Sequence, residues 1–133
     1  MVDVLSPMWA GLPPDRRVAL GCKWVDHSLR GLLPVAFDRG GHPGVGAVLR
    51  TLPCIDSLDA LRFAHDQLRA MKTPDEPVEA LAAFFSLAAS LKQLVEGFEI
   101  YECCFLAVMT SRFIYGDDRV VHSMAADLTG APQ

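Results

Sequence analysis

A helix-start signal followed by a nearly all-apolar run constrains this chain more than any other feature. Thr73-Pro74-Asp75-Glu76 has the pattern of a capping box, in which the Thr73 hydroxyl and the Glu76 carboxylate satisfy free amides at a helix start. Pro74 suits the first helical position, and both acids complement the positive end of the helix dipole. The run Leu81 to Ala89 follows and is almost entirely apolar. We therefore expect a central helix, Pro74 to Glu96, that is buried on most sides and closed by Gly97.

Apolar residues at helical spacing predict helices on both sides of this central one. Leu12-Pro13-Pro14-Asp15 precedes the first, which we expect to end at Pro34. A second helix is expected after a cap at Asp56 or Ser57, and a last helix after a cap at Asp117 or Asp118, ending near Gly130. The apolar stripes recur at spacings of three and four: Val18, Cys22, Val25, Leu29 and Leu32 in the first helix; Leu61, Ala64, Leu68 and Met71 in the second; Val120, Val121, Met124 and Leu128 in the last.

The apolar run within residues 98–109 is consistent with either a buried helix or a strand, because a short apolar run has no decisive period. We expect a helix. The apolar pattern continues through Phe113, Ile114 and Tyr115 before Gly116 interrupts it, and few strands reach that length.

These segments predict an all-α fold, in which residues 1–133 form one compact domain built as a bundle of five or six helices. We expect residues 1–12 to be a lead-in segment and residues 38–44, rich in glycine and proline, to be a loop. A short segment, Val45 to Leu52, follows that loop. Gly21 and Gly31 either weaken the first helix by about 1 kcal/mol each or permit a close helix approach.

Charge is unevenly distributed and excludes some partners. Residues 1–72 hold nine Lys and Arg against seven Asp and Glu, whereas residues 73–133 hold three against nine, so the halves carry about +2 and −6. Nucleic acid is not expected as a ligand, because phosphate binding needs a basic face. The acidic half instead suits a basic protein partner, although ordinary solvated helix faces would also explain it.

The length of the apolar runs and the nature of the N-terminus predict the compartment. The longest apolar runs fall short of the roughly 20 residues that span a bilayer, so no membrane span is expected. The N-terminus lacks a basic start followed by a long apolar run. With four unpatterned cysteines, a reducing cytoplasm is the expected location.

No catalytic or metal-binding motif is recognisable, so we expect no enzyme activity, no cofactor and no metal. Cys103 and Cys104 lie inside an apolar run, where thiols behave as small hydrophobes. Histidines lie beside acids in Asp26-His27 and His65-Asp66, but neighbouring helix positions diverge, so we do not expect either pair to form a dyad.

Four residues are candidates for contact with a protein partner. Trp24 lies off the first apolar stripe, and aromatic side chains are favoured at interface hot spots, although a second core face is an equal alternative. Glu96, Glu99 and Glu102 recur every three residues and would share one face of a continuous helix.

Part of the chain resembles an uncharacterised family of small helical bacterial proteins encoded near type VI secretion and effector genes. The resemblance lies in Leu12-Pro13-Pro14-Asp15-Arg16, in the segment from Asp59-Ala60-Leu61 to Thr73-Pro74-Asp75-Glu76, and in Ala82-Ala83-Phe84-Phe85-Ser86, which cover about half the chain. Such families have a tryptophan where Phe85 stands here. The resemblance implies an accessory or immunity-type binding protein and carries over no catalytic residue.

The sequence thus favours a non-catalytic protein-interaction module: an adaptor, a chaperone or an immunity-type protein. One alternative is a small-molecule-binding or enzymatic helical bundle, with a pocket lined by Phe84, Tyr101, Cys104 and Tyr115 and with His65 or His122 as its polar group. Another is a structural homodimer that covers its excess apolar surface with a second copy.

Overall fold

A computed structural model describes residues 2–70 and 78–130 of the chain. Within these ranges the chain is helical and contains no strand, which confirms the all-α prediction. The helices outnumber the predicted five or six, and they remain seven when α2, the π segment and α3 are counted as one continuous rod. The elements are α1 Val2–Ala10, α2 Pro14–Asp26, a π segment His27–Leu32, α3 Leu33–Arg39, α4 Pro43–Thr51, α5 Leu58–Ala70, α6 Val78–Gly97, α7 Ile100–Ile114 and α8 Arg119–Thr129.

The first long helix does not end at Pro34, as predicted, but continues to Arg39 through the π segment. Proline has no N–H to donate and its ring presses on the carbonyl four residues back, so Pro34 disfavours an unmodified α-helix at this position. The helix widens instead, and the Leu33 amide donates to the Ser28 carbonyl, five residues back. The turn thus contains one residue more than a regular α-helical turn. As a result, the buried stripe of this helix continues at Leu33, while Leu32 is only half-buried.

The predicted loop over residues 38–44 is much shorter than expected. α3 runs to Arg39 and α4 begins at Pro43, so a turn of three residues connects them, with Gly41 at a φ of 83°. The two helices pack closely at Gly46, where an added Cβ would lie 2.9 Å from the Pro34 carbonyl oxygen. The segment Val45 to Leu52 is therefore helical up to Thr51, as part of α4, which forms a hairpin with α3.

The expected lead-in, residues 1–12, contains a helix instead. α1 spans Val2–Ala10 and buries Leu5 and Trp9 against the rest of the molecule. The Trp9 ring stacks on the Trp24 ring with a centroid distance of 5.6 Å and an interplanar angle of 27°. Pro7 lies inside this short helix, which is why the segment did not show a helical pattern in the sequence.

Several predicted helix boundaries are confirmed. The Ser57 hydroxyl accepts from the Ala60 amide at 3.2 Å ahead of α5, and Gly130 closes α8 with a φ of 70°. At the start of α8 the Asp117 carboxylate accepts from the Arg119 amide at 3.0 Å. Residues 100–114 form a helix, α7, which decides the helix-or-strand question. The predicted capping box at residues 73–76 and Met71 lie outside the described residues.

The end of α6 differs from the prediction because Gly97 is still helical and Phe98 adopts the left-handed conformation, with a φ of 49°. This is unusual for a residue with a bulky side chain. The Phe98 ring packs directly on Gly21 of α2, where an added Cβ would lie 1.9 Å from the Phe98 Cε1 atom. The choice left open for Gly21 is thereby decided: the glycine permits a close approach.

Most buried apolar side chains of the described residues form one cluster, and α7 crosses it in contact with α1, α2, α3, α6 and α8. Cys103 and Cys104 of α7 are buried in it, and burial raises the pKa of both thiols. Burial and the nearby Asp56 and Asp26 likewise raise the pKa of Cys22 to about 11. These three thiols are core residues, as expected for Cys103 and Cys104. Across the described ranges, every helix is too short or too polar to cross a bilayer.

Candidate functional site

One concave surface of the described residues is a cleft between α2 with its π segment and α8, here called the α2–α8 cleft. Its volume is about 590 Å³. Both helices pack on α7, and the cleft lies between them. It is lined by Lys23, Trp24, Asp26, His27, Ser28, Leu32, Tyr115, Arg119, Val120, Ser123, Met124 and Asp127.

The two ends of the cleft carry different ion pairs. At one end, Asp127 accepts from Lys23 Nζ at 3.3 Å and from the Trp24 indole N–H at 3.0 Å, and its side chain is 14% exposed. At the other end, Arg119 donates to Asp117 at 2.9 Å, and its guanidinium lies 4.2 Å from the centre of the Tyr115 ring. Both members of this second pair are largely exposed.

One wall of the cleft is fixed by Asp26. Its carboxylate accepts from Arg30 Nε at 2.6 Å and from the Ile55 amide at 2.9 Å. Arg30 also donates to the Leu52 carbonyl, so the two side chains tie the segment after α4 to the start of the π segment. Partial burial acts to raise the pKa of Asp26, but the hydrogen bonds from Arg30 and Ile55 outweigh it and the net pKa is lowered.

A second, shallower depression lies between α6 and α7 and is called the α6–α7 groove. Its volume is about 340 Å³, and its lining consists of Ser86, Ala89, Ser90, Gln93, Glu102 and Phe105. Small side chains on α6 leave room for an approaching helix, while Phe105 supplies an apolar wall and Glu102 a negative charge.

Exposed aromatic side chains continue from this groove along α7. Tyr101 and Phe105 are one helical turn apart and are 56% and 42% exposed, and Phe113 lies two turns further on at 59%. Residues four apart lie on one ridge of a helix surface, so Tyr101 and Phe105 share a ridge, whereas Phe113, eight residues beyond Phe105, is turned about 80° further round the helix. Phe113 is also in edge contact with Phe37 at 6.3 Å, which orients its ring.

The structure separates the residues predicted to contact a partner. Trp24 is not an exposed anchor, since it is 6% exposed, stacked on Trp9 and bonded to Asp127, although it lines the α2–α8 cleft. It belongs to the second core face that the sequence left as the alternative. The sequence pattern did not indicate the helix α1, and Trp9 of this helix covers Trp24.

The three glutamates do not share one face, because the helix breaks between Gly97 and Ile100. Glu102 lines the α6–α7 groove, whereas Glu96 pairs with Lys92 at 3.9 Å and lines a different hollow. Glu99 is exposed at the start of α7. Of the three, Glu102 lies beside exposed aromatic residues.

The pocket predicted under the small-molecule alternative does not form as expected. Tyr115 lines the α2–α8 cleft, but Tyr101 is exposed on α7 and Cys104 is in the core. His65 and His122 do not line the cleft, and His27 does. The side chain of Phe84 lies outside what the structure describes.

One pairing that the sequence argument rejected is present: His65 Nδ1 lies 3.1 Å from the Asp66 carboxylate. The two side chains bend toward each other at the surface of α5, although their helix positions diverge. In the other acid–histidine pair, Asp26 and His27, the Asp26 carboxylate instead accepts from Arg30 and from the Ile55 amide. In the part of the chain that is described, no three His, Cys, Asp or Glu residues are grouped to hold a metal ion.

Comparisons of the chain with protein-family models, with curated proteins and with solved structures give no match. The resemblance to a secretion-associated family therefore stays a prediction.

Proposed function

We propose that this protein is a non-catalytic interaction module whose α6–α7 groove and exposed α7 ridge receive an amphipathic, basic helix of a protein partner. One observation carries the proposal: α7 is the central helix of the core and yet exposes Tyr101 and Phe105 on one ridge beside the α6–α7 groove. Aromatic residues at this density on a surface are typical of interaction sites. Helix-in-groove binding uses apolar anchors spaced at helical turns, which matches a groove bounded by two helices.

Charge supports a basic partner rather than a neutral one. Glu102 lies in the groove beside Phe105, Glu99 lies one turn before it, and the half of the chain from residue 73 onward carries about −6. Such a field steers a basic segment toward the groove and adds a salt-dependent term to its binding rate. An adaptor, chaperone or immunity-type role, as the family resemblance implies, is the biological form of this proposal.

The test is affinity capture from native lysate with matched surface variants. Phe105→Ser should remove a co-purifying protein, and Phe63→Ser is the control because Phe63 is a 48% exposed aromatic on α5 that does not line the groove. Glu102→Lys and Glu96→Lys make a second matched pair, since Glu96 lines another hollow. Equal capture by both members of each pair would refute the groove as the binding site.

The same variants distinguish binding of a different protein from the homodimer alternative. If a second copy covers the ridge, light scattering on the purified protein gives twice the chain mass, and Phe105→Ser returns it to that of a monomer. A monomeric wild-type protein with a groove-dependent partner supports the proposal.

A further inference from the structure

We propose that the α2–α8 cleft binds a small amphipathic molecule with an apolar body and one anionic head, either a carboxylate or a phosphate. This site is separate from the α6–α7 groove and goes beyond the protein-binding function proposed above. The cleft and the groove lie on different helices, so their ligands are expected to bind independently.

The size and lining of the cleft fit the apolar body. A volume of about 590 Å³ is typical of small-molecule sites, which occupy roughly 300–1,000 Å³. Leu32, Val120, Met124 and Trp24 give it apolar walls. Arg119 and Asp127 mark its ends on α8, and eight residues of helix separate them by about 12 Å. The cleft is therefore a trough suited to an elongated molecule of medium length.

The charges at the two ends place the anionic head at Arg119. Lys23 compensates Asp127, whose side chain is mostly buried, so moving Lys23 to a ligand would leave a buried carboxylate without its cation. Arg119 is paired with the well-exposed Asp117, and an exposed pair of this kind contributes little. Its guanidinium can therefore turn to a ligand while Asp117 returns to water.

Arg119 also has the right chemistry and position for this role. A guanidinium binds a carboxylate or a phosphate through two parallel hydrogen bonds. The Tyr115 ring lies 4.2 Å from the guanidinium carbon and holds it at the mouth of the cleft. Ser123, one turn further along α8, faces the same cleft and offers a hydroxyl to the head or to water.

The π segment is the second observation that points to a ligand site here. π-turns within α-helices are frequent at functional sites. This one adds a residue to the helix, and Leu32, which would otherwise continue the buried stripe, becomes part of the cleft lining. His27 and Ser28 of the same segment also line the cleft. Half of the residues that line this wall of the cleft thus belong to the part of the helix that departs from regular geometry.

Binding is tested with decanoate and decyl phosphate as probes, with decan-1-ol as the neutral counterpart and inorganic phosphate as the head alone. Calorimetric titration of the full chain should show decanoate or decyl phosphate binding at least about tenfold more tightly than decan-1-ol, as expected for hydrogen bonds to a charged group. Inorganic phosphate should not bind. Comparison of decanoate with decyl phosphate tells which head is preferred. Shifts of the Met124 methyl and Trp24 indole signals in NMR spectra locate the ligand.

Two pairs of variants check the assignment. Arg119→Gln should remove the preference for the anionic probes, whereas Arg112→Gln should keep it, because Arg112 also pairs with an exposed aspartate, Asp118, but does not line the cleft. Ser123→Phe should block every probe, and His122→Phe, at the neighbouring exposed position, should not.

Four outcomes would overturn the proposal: no binding by either anionic probe, equal binding of decan-1-ol, equal loss in the two arginine variants, or unchanged binding in Ser123→Phe. Circular dichroism of each variant shows that the helices are retained. These tests do not involve the α6–α7 groove, so failure here leaves the protein-binding proposal standing, and the reverse also holds.

Discussion

Replacement of Gly21 by alanine is the sharpest test of how this molecule is packed. Gly21 is buried on α2 at the contact with Phe98, the residue that ends α6 in a left-handed conformation. On an isolated helix the change would stabilise, since glycine costs about 1 kcal/mol relative to alanine in a helix interior. In this structure the added methyl group would lie 1.9 Å from Phe98 Cε1 and 2.6 Å from Cδ1.

The magnitude follows from what has to move. The clashing atoms belong to a ring that is 6% exposed, so neither the flexible end of a side chain nor solvent can absorb the overlap. Overpacking of a core costs about 1–3 kcal/mol, and the upper end applies because the ring must leave its site. Subtracting the helix gain of about 1 kcal/mol leaves a net loss of about 2 kcal/mol in the free energy of unfolding.

The assay is urea unfolding followed by circular dichroism, applied to a double-mutant cycle with Phe98→Ala. In the Phe98→Ala background the overlap is gone, so Gly21→Ala should now stabilise by about 1 kcal/mol. Gly31→Ala is the matched control, because its nearest non-neighbouring atom, His27 Nδ1, is 3.7 Å from the added Cβ. It should not destabilise. An equal cost of Gly21→Ala in both backgrounds would show that the Phe98 contact is not the cause.

Three further predictions follow from particular contacts. Asp26→Asn should cost about 2 kcal/mol at neutral pH, since it weakens hydrogen bonds to a charged acceptor. Because folding lowers the pKa of Asp26, its contribution is present above the unfolded value of about 4 and is lost as pH falls through the folded value; acid-unfolding curves of the variant should lack this component. Ser57→Ala should cost about 1 kcal/mol of thermal or urea stability through loss of the α5 cap, and Ser57→Asn should restore it. A thiol-reactive disulfide reagent should label Cys54 in the native protein, and Cys103 and Cys104 should react after unfolding, as mass spectrometry will show.

The all-α class was predictable because three-four spacing repeats in nearly every segment, and the caps at Ser57 and Gly130 are local signals that packing did not override. The prediction was wrong where the backbone departs from local rules. α1 contains Pro7, which hides its helical pattern, and its burial depends on the distant Trp24. Phe98 takes the left-handed position beside Gly97 because a contact with Gly21, 77 residues away in the chain, stabilises it. Such contacts have no signature in a local window.

The candidate sites were less predictable than the fold. Glu102 was identified, but its neighbour Phe105 was assigned only to an apolar run, because a run that is apolar on every face does not show which face is covered. The α2–α8 cleft was missed except for Tyr115 and Trp24. It joins residues 23–32 to residues 115–127, and this pairing depends on both helices packing on α7.

The position where the helical period fails is also the position of the cleft, and one cause explains both. The buried residues Leu29, Leu33 and Phe37 are four apart, and in a regular α-helix each such step turns about 40° past the previous residue, so the stripe would leave the core. The wider π segment reduces that turn for the step from Leu29 to Leu33 and keeps both residues on the core side. Pro34 favours the widening, and Leu32 lines the cleft that lies between the π segment and α8. Natural sequences tend to break local rules at functional sites, so this coincidence supports the cleft as a binding site rather than as a packing gap.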